Sequence, residues 1–170
     1  MKSYETAGRS PLRAWSYTCD TVRNTALQQR EYTQTDDFFV YYTQPLDTSI
    51  AEPPLPAGYM IRHIQSDADI AERAAVHRAA FAPSKMTEAI HRAVMTAPTY
   101  RADLDLVVVA PDGDFAAFAL VWYDAANYFG TFEPVGCHPD HQRKGLARAV
   151  LREGMRRVQR LGGQLIHVNS

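Results

Sequence analysis

The run Val135-Gly136-Cys137-His138-Pro139-Asp140-His141-Gln142-Arg143-Lys144-Gly145-Leu146-Ala147-Arg148 reads as the end of a strand, a short polar loop and the first turn of a helix. A helix N-terminus leaves backbone N–H groups unpaired and carries positive partial charge, so an anion placed there gains charge-assisted hydrogen bonds. Arg143, Lys144 and Arg148 add formal charge. Gly145 has no Cβ, which lets a phosphate group approach the main chain, and Ala147 keeps the next approach shallow. Beyond Leu146, the residues Val150, Gly154, Val158 and Leu161 recur near helical spacing. A helix over residues 145–161 therefore packs one face on a sheet while Arg152, Arg156 and Arg160 face water. Gly162-Gly163 stops it, and residues 164–168 form a strand. On these grounds alone, Gly145 is equally well a loop glycine and the arginines a solvated helix face.

Upstream of this run, residues 59–64 read as a strand, and Ser66 with Asp69 resembles a capping box opening a helix that reaches about Phe81. A second helix, capped by Ser84 or Thr87, stops near Ala97, because Pro98 disfavours helical geometry in the residue before it. Residues 105–110 and 115–123 flank Pro111-Asp112-Gly113 and form an antiparallel hairpin across that tight turn. Residues 128–137 are a further strand. The order strand, helix, helix, hairpin, strand, helix, strand predicts an α/β domain with a mixed sheet covered by helices.

Residues 45–57 hold Pro45, Pro53, Pro54 and Pro56 with little apolar periodicity and read as a linker. Before it, residues 12–17 read as a strand, residues 20–30 as a helix capped by Asp20, and residues 37–43 as an aromatic strand. This segment is too small to fold alone.

The 170 residues suffice for one domain and a fragment of another, and the 18 basic and 19 acidic side chains give no global field to gather nucleic acid or an anionic membrane. Any anion site is therefore local. Cys19 and Cys137 form no metal-binding or disulfide pattern, which suggests a reducing compartment and no metal. No stretch approaches the roughly 20 apolar residues that span a bilayer, and residues 1–13 lack the apolar core of a signal peptide, so cytoplasm is the expected location.

Gln142-Arg143-Lys144-Gly145-Leu146-Ala147, following the strand Val135-Gly136-Cys137, resembles the coenzyme A signature of the GNAT superfamily of N-acetyltransferases. There, Gln/Arg-x-x-Gly-x-Gly/Ala opens a helix after such a strand. The resemblance extends loosely over residues 58–170. It implies a GNAT-like mixed, mostly antiparallel central sheet flanked by helices, with acetyl-CoA as co-substrate. It implies, too, that main-chain groups of Val135 and Cys137, on either side of Gly136, pair with the pantetheine arm. N–H groups in the stretch Arg143, Lys144, Gly145, Leu146, Ala147 and Arg148, next to Gln142, would hold the pyrophosphate. In such enzymes the acyl thioester lies where this strand splays from the next, and an acceptor amine, small molecule or peptide, attacks it directly.

An alkylamine with a pKa near 10.4 is only about one part in a thousand neutral at pH 7, so a general base helps by roughly 10²–10⁴-fold. Glu133, on the same strand, is the candidate base; the alternative is an ordinary outward-facing carboxylate. His138 and His141 read as groups beside an anion site or in solvent, and Cys137 as a small packing residue.

A complete GNAT domain continues past Val168 with a helix and two antiparallel strands, which often supply a tyrosine acid. The strand, helix and aromatic strand of residues 1–44 resemble such a tail, with Leu27 at the acid tyrosine position and Glu31 where glycine is usual. Tail, linker and head in this order look like the junction of a tandem GNAT protein. Either the tail completes a sheet by permutation or in a domain-swapped homodimer, which would avoid a bare edge, or the chain is a fragment of a longer protein. Two readings of function follow: an N-acyltransferase, or a non-catalytic coenzyme A-binding or structural half of a tandem protein. A nucleotide-phosphate binder is disfavoured, because the Gly-Lys-Ser/Thr ending of a P-loop and the spaced glycines of a dinucleotide fold are absent.

Overall fold

The hairpin around Pro111-Asp112-Gly113 supplies two strands of the larger sheet, β6 (Asp105–Val109) and β7 (Phe115–Asp124). The computed structural model describes residues 1–8 and 11–169, which form two compact units: residues 1–42 with Asn169, and residues 43–168.

The first unit is a three-stranded antiparallel sheet in the order β2-β1-β3, with β1 at Lys2–Glu5, β2 at Arg13–Ser16 and β3 at Thr33–Phe38. Helix α1 (Thr21–Gln28) begins as expected: the Asp20 side chain accepts a hydrogen bond from Arg23 N at 2.9 Å. Arg13 on β2 bonds Glu5, its cross-strand partner, and lies 3.1 Å from Asp37 on β3. Two expectations need correction. Strand β1 was not foreseen, because Ser3 and Tyr4 are adjacent and both buried, which leaves no alternation to read. The aromatic strand is broken: β3 ends at Phe38 and β4 (Tyr41–Pro45) starts anew.

The second unit carries the sheet β4-β9-β8-β7-β6-β5, with β5 at Met60–His63, β8 at Phe129–Cys137 and β9 at Leu165–Asn169. Strands β5 to β8 pair antiparallel in succession, and β8 pairs parallel with β9. The parallel step requires a crossover, which is helix α4 (Leu146–Arg160). Helices α2 (Ala68–Ala80) and α3 (Glu88–Met95) precede β6.

After Asp105, strand β6 is a continuous apolar run because both faces of the sheet are covered. Leu106 and Val108 join Leu146, Val150 and Val158 of α4 in one core, while Val107 and Phe118 join Val76 of α2 in another. Gly154 of α4 lies against β8 so closely that a Cβ there would sit 2.5 Å from Phe132 Cε1. Glu153 is buried and bonds Arg156 and Arg157 at 2.8 Å each, so Arg156 is drawn onto a carboxylate rather than simply facing water. Helix α4 ends at the glycines, where Gly162 has φ +87° and Gly163 N donates to Val158 O at 2.9 Å.

Thr87, not Ser84, caps α3 by accepting from Ile90 N at 3.2 Å. The expected capping box at α2 is half made. Asp69 reaches back to Gln65 N and Ser66 N, but the α2 cap position makes no side-chain bond, and the Asp69 carboxylate is gripped instead by Arg62. The proline-rich segment is packed against the core: Leu46 is buried within it, Ile50 and Leu55 lie against it, and the Gln159 amide donates to Leu46 O and Thr48 O, each at 2.8 Å.

Candidate functional site

Strand β8 is irregular where the candidate chemistry lies. Ala119 faces Val135 and Val121 faces Phe132, so two steps along β7 oppose three along β8, and Glu133-Pro134 forms a bulge. Proline has no N–H to give the ladder. The Trp122 indole N–H donates to the Glu133 carbonyl at 2.8 Å, which occupies that oxygen and fixes the indole.

On its other side, β8 pairs with β9 only from Phe129↔Leu165 to Phe132↔Val168. Residues 133–137 therefore have no ladder partner on that side among the described residues. His138 N donates to Ala116 O at 2.8 Å. Antiparallel pairs alternate between bonded and non-bonded, so the next bonded pair is Gly136 with Phe118. The N–H and C=O groups of Val135 and Cys137 consequently point away from β7, toward the open edge. Gly136 has a packing reason of its own, since a Cβ there would lie 2.5 Å from Phe118 Cζ.

After β8, Pro139–His141 make one tight helical turn, begun by His138, whose Nδ1 accepts from Asp140 N at 3.3 Å. Arg143 and Gly145 then adopt positive φ, +61° and +79°. No side chain caps α4, because its cap residue is Gly145, so the first amides of the helix are left open. A Cβ on Gly145 would meet nothing within 4 Å: the backbone conformation, not crowding, calls for glycine, and the space above it is empty. A cavity of about 370 Å³ lies there, lined by Cys137, Gln142, Arg143, Gly145, Leu146, Ala147 and Arg148.

The structure thus brings together most of the residues singled out for an anion. Leu146 is buried and anchors the helix, while Arg143 and Arg148 are exposed at the cavity. Lys144 has another attachment: its Nζ donates to Tyr59 OH at 3.0 Å and to Asp140 O at 3.3 Å, tying the loop down. Val135 is half-buried against the core. Cys137 is half-buried, and burial raises its thiol pKa, as suits a packing residue rather than a thiolate. His141 Nδ1 lies 2.9 Å from Tyr59 OH, and Glu133 is exposed on β8.

A larger cavity, about 770 Å³, lies over β7 and β8, lined by Pro98, Thr99, Arg101, Trp122, Tyr123, Asp124, Ala125, Phe129 and Thr131. Neither Thr131 nor its neighbour His167 on β9 stands out in the sequence, because no motif marks them and only strand register joins them. Thr131 Oγ1 is 3.3 Å from His167 Nε2, and burial lowers the His167 pKa. Among the described residues no helix is long and apolar enough to cross a membrane, and no group of three or more His, Cys, Asp or Glu is placed to hold a metal ion.

Comparison with known proteins bears on the fold and the family. The chain is 33% identical over 160 residues to a mycothiol acetyltransferase of Kineococcus radiotolerans, a match covering 91% of this chain and 52% of that protein. It therefore spans about half the length of that curated relative. Its fold resembles a GCN5-related N-acetyltransferase from Sphaerobacter thermophilus, with a TM-score of 0.74 and 20% identity over 90% of this chain and 48% of that one. A GNAT family acetyltransferase from Brucella melitensis, solved in complex with acetyl-CoA, aligns with a TM-score of 0.51 and 23% identity over 62% of this chain and 71% of its own. Residues 61–169 match the acetyltransferase (GNAT) family, and the chain belongs to that family.

Proposed function

We propose that this chain binds acetyl-CoA along the open edge of β8 and transfers the acetyl group to a primary amine by direct attack. The observation that carries this reading is the continuity of unclaimed main-chain groups. The outward-facing N–H and C=O groups of Val135 and Cys137 lead into a loop with two positive-φ residues and then to the open amides of α4. In this reading the pantetheine arm adds to β8 as a short strand would, and the pyrophosphate meets the amides of residues 143–148. Gly145 and Ala147 keep the approach clear, and Arg143 and Arg148 supply positive charge at the rim.

Glu133 is the proposed base on this strand, and the acceptor is a small-molecule or peptide amine. The Kineococcus relative's name and the Brucella complex support the donor and the reaction class. Residues 58–170 would then form the acyl-CoA-binding part, and residues 1–44 a tail of the same family type joined through residues 45–57.

One observation favours a second reading, a non-catalytic coenzyme A-binding part of a longer protein. Leu27, an apolar side chain on α1, stands where the resemblance would place an acid tyrosine. Calorimetric titration of acetyl-CoA, followed by thiol-release assays over a panel of amines, separates the two. Binding with turnover supports the transferase, binding without turnover for any amine supports the second reading, and no binding overturns both.

A further inference from the structure

The larger cavity has its charges already engaged. Arg101 is bonded twice to Asp103, at 3.1 and 2.9 Å. Asp124 accepts from the amides of Ala126 and Asn127 at 2.9 and 3.2 Å and from the Asn127 side chain at 2.6 Å, so it serves its own turn. Tyr123 OH is turned to Leu161 O at 3.0 Å. Among the lining groups, Thr131 is the one whose hydroxyl touches a titratable side chain, at 3.3 Å from His167 Nε2.

The placement of this pair matters. Thr131↔His167 is the rung before Phe132↔Val168, the last rung joining β8 to β9, so the pair sits beside the point where the two strands part. His167 also packs on Phe129, with ring centroids 4.6 Å apart.

We propose that Thr131 and His167 form a proton relay for the acceptor amine, with the larger cavity as the amine's entrance. The proposal rests on the acetyl-CoA binding and direct attack of the acetyltransferase reading above, and puts this pair in place of Glu133 as the base. The amine nitrogen attacks the thioester carbonyl carbon, a C–N bond forms and the C–S bond breaks. The proton lost by nitrogen passes to Thr131 Oγ1 as the threonine hydroxyl proton moves to His167 Nε2. The departing thiolate takes a proton from water, and the imidazolium returns one to water, so the products are amide and thiol.

The local chemistry suits an acceptor. Burial holds the His167 pKa below its ordinary value of 6.5, so the imidazole is in its basic, neutral form at pH 7. From β8 it is faced by Thr131 and Phe129, neither of which titrates near neutrality. The part of β4 in the same unit, Thr43, Gln44 and Pro45, brings no titratable group. The carboxylates of the neighbouring strands are Asp124, held by its turn, and Glu133, the rival base on β8.

The test compares the wild-type chain with T131V, T131S, H167Q and E133Q, using acetyl-CoA and whichever amine the panel shows to be acetylated. H167Q and T131V should lose roughly 100-fold or more in kcat/KM, the lower range for a general base, while T131S stays near wild type. The acid limb of the pH profile should vanish in H167Q and persist in E133Q. A limb that persists in H167Q and vanishes in E133Q overturns the relay in favour of the carboxylate.

A second measurement needs no turnover. Titration of the His167 imidazole by ¹⁵N NMR should change in T131V and recover in T131S, because the relay requires the threonine hydroxyl to be hydrogen-bonded to Nε2; identical titrations in all three proteins overturn the proposal. If acetyl-CoA fails to bind by calorimetry, the acetyltransferase reading and the relay's catalytic role both fall, whereas bound acetyl-CoA with an unresponsive His167 removes the relay alone.

Discussion

Arg73 Nε and Asp105 Oδ1 meet 2.9 Å apart with side chains only 1% and 0% exposed, at the start of a strand that is otherwise wholly apolar. Tyr100 OH donates to the second carboxylate oxygen at 3.2 Å, His91 Nε2 lies 3.1 Å from it, and the Arg73 guanidinium sits 3.9 Å over the Phe118 ring. The cationic neighbours hold the Asp105 carboxyl below the usual range against the opposing effect of burial, so it is ionised. Removing one charge strands the other. Asp105→Ala should destabilise by about 3–5 kcal/mol, read as a lower urea midpoint, and Asp105→Asn by less.

Gly154 is fixed by its neighbour. The missing Cβ would lie 2.5 Å from Phe132 Cε1 and 3.2 Å from Val121 Cγ2. Overpacking costs about 1–3 kcal/mol, while alanine's better helix propensity returns about 1 kcal/mol. Gly154→Ala should therefore lower the thermal midpoint, and adding Phe132→Leu should recover part of the loss by making room.

Arg62 grips both oxygens of Asp69 at 2.7 Å and, with the amides of Gln65 and Ser66, holds that carboxyl at about 2, down from 3.8. A depressed folded-state pKa gives stability that is fully present above the unfolded value and lost as pH falls through the folded one. The Asp69 contribution should thus be intact above pH 4 and vanish toward pH 2. Asp69→Asn should melt lower than wild type at pH 6, by about 2 kcal/mol for its charge-assisted bonds, and the gap should close on acidification through that window.

Acetyl-CoA affinity should depend on space more than on side-chain charge. Ala147 lines the smaller cavity in the first turn of α4 and has no special backbone angle. Ala147→Glu places bulk and negative charge there and should abolish measurable binding by calorimetry. Arg148→Ala removes one exposed cation and should weaken binding less than about tenfold, with a shallower salt dependence.

The elements that position the smaller cavity were legible where local signals agree. Leu146, Val150 and Val158 mark one helix face, Gly162 and Gly163 end it, and Pro111-Asp112-Gly113 turns the hairpin. Signals that serve a tertiary purpose misled: Asp69 looks like half of a capping box but is held by Arg62, and the prolines of residues 45–57 suggest a free linker though Leu46 fills the core. Thr131 and His167 could not be found at all. They are 36 residues apart, on strands whose parallel register only the folded sheet defines.

The extra residue in β8 carries a different kind of information from the motif after it. Phe132 and Val135 sit opposite Val121 and Ala119 with two residues between them where β7 has one, and that surplus is a matter of count rather than of which side chains fill it. Deleting Pro134 would leave every downstream partner on β7 in place, yet straighten the strand. In this part of the chain, length governs the backbone path more than composition does. Other side chains at 133 and 134 would leave that path unchanged, whatever Glu133 does for the chemistry, while a single-codon deletion would let β8 run on beside β9 and shut the gap between them.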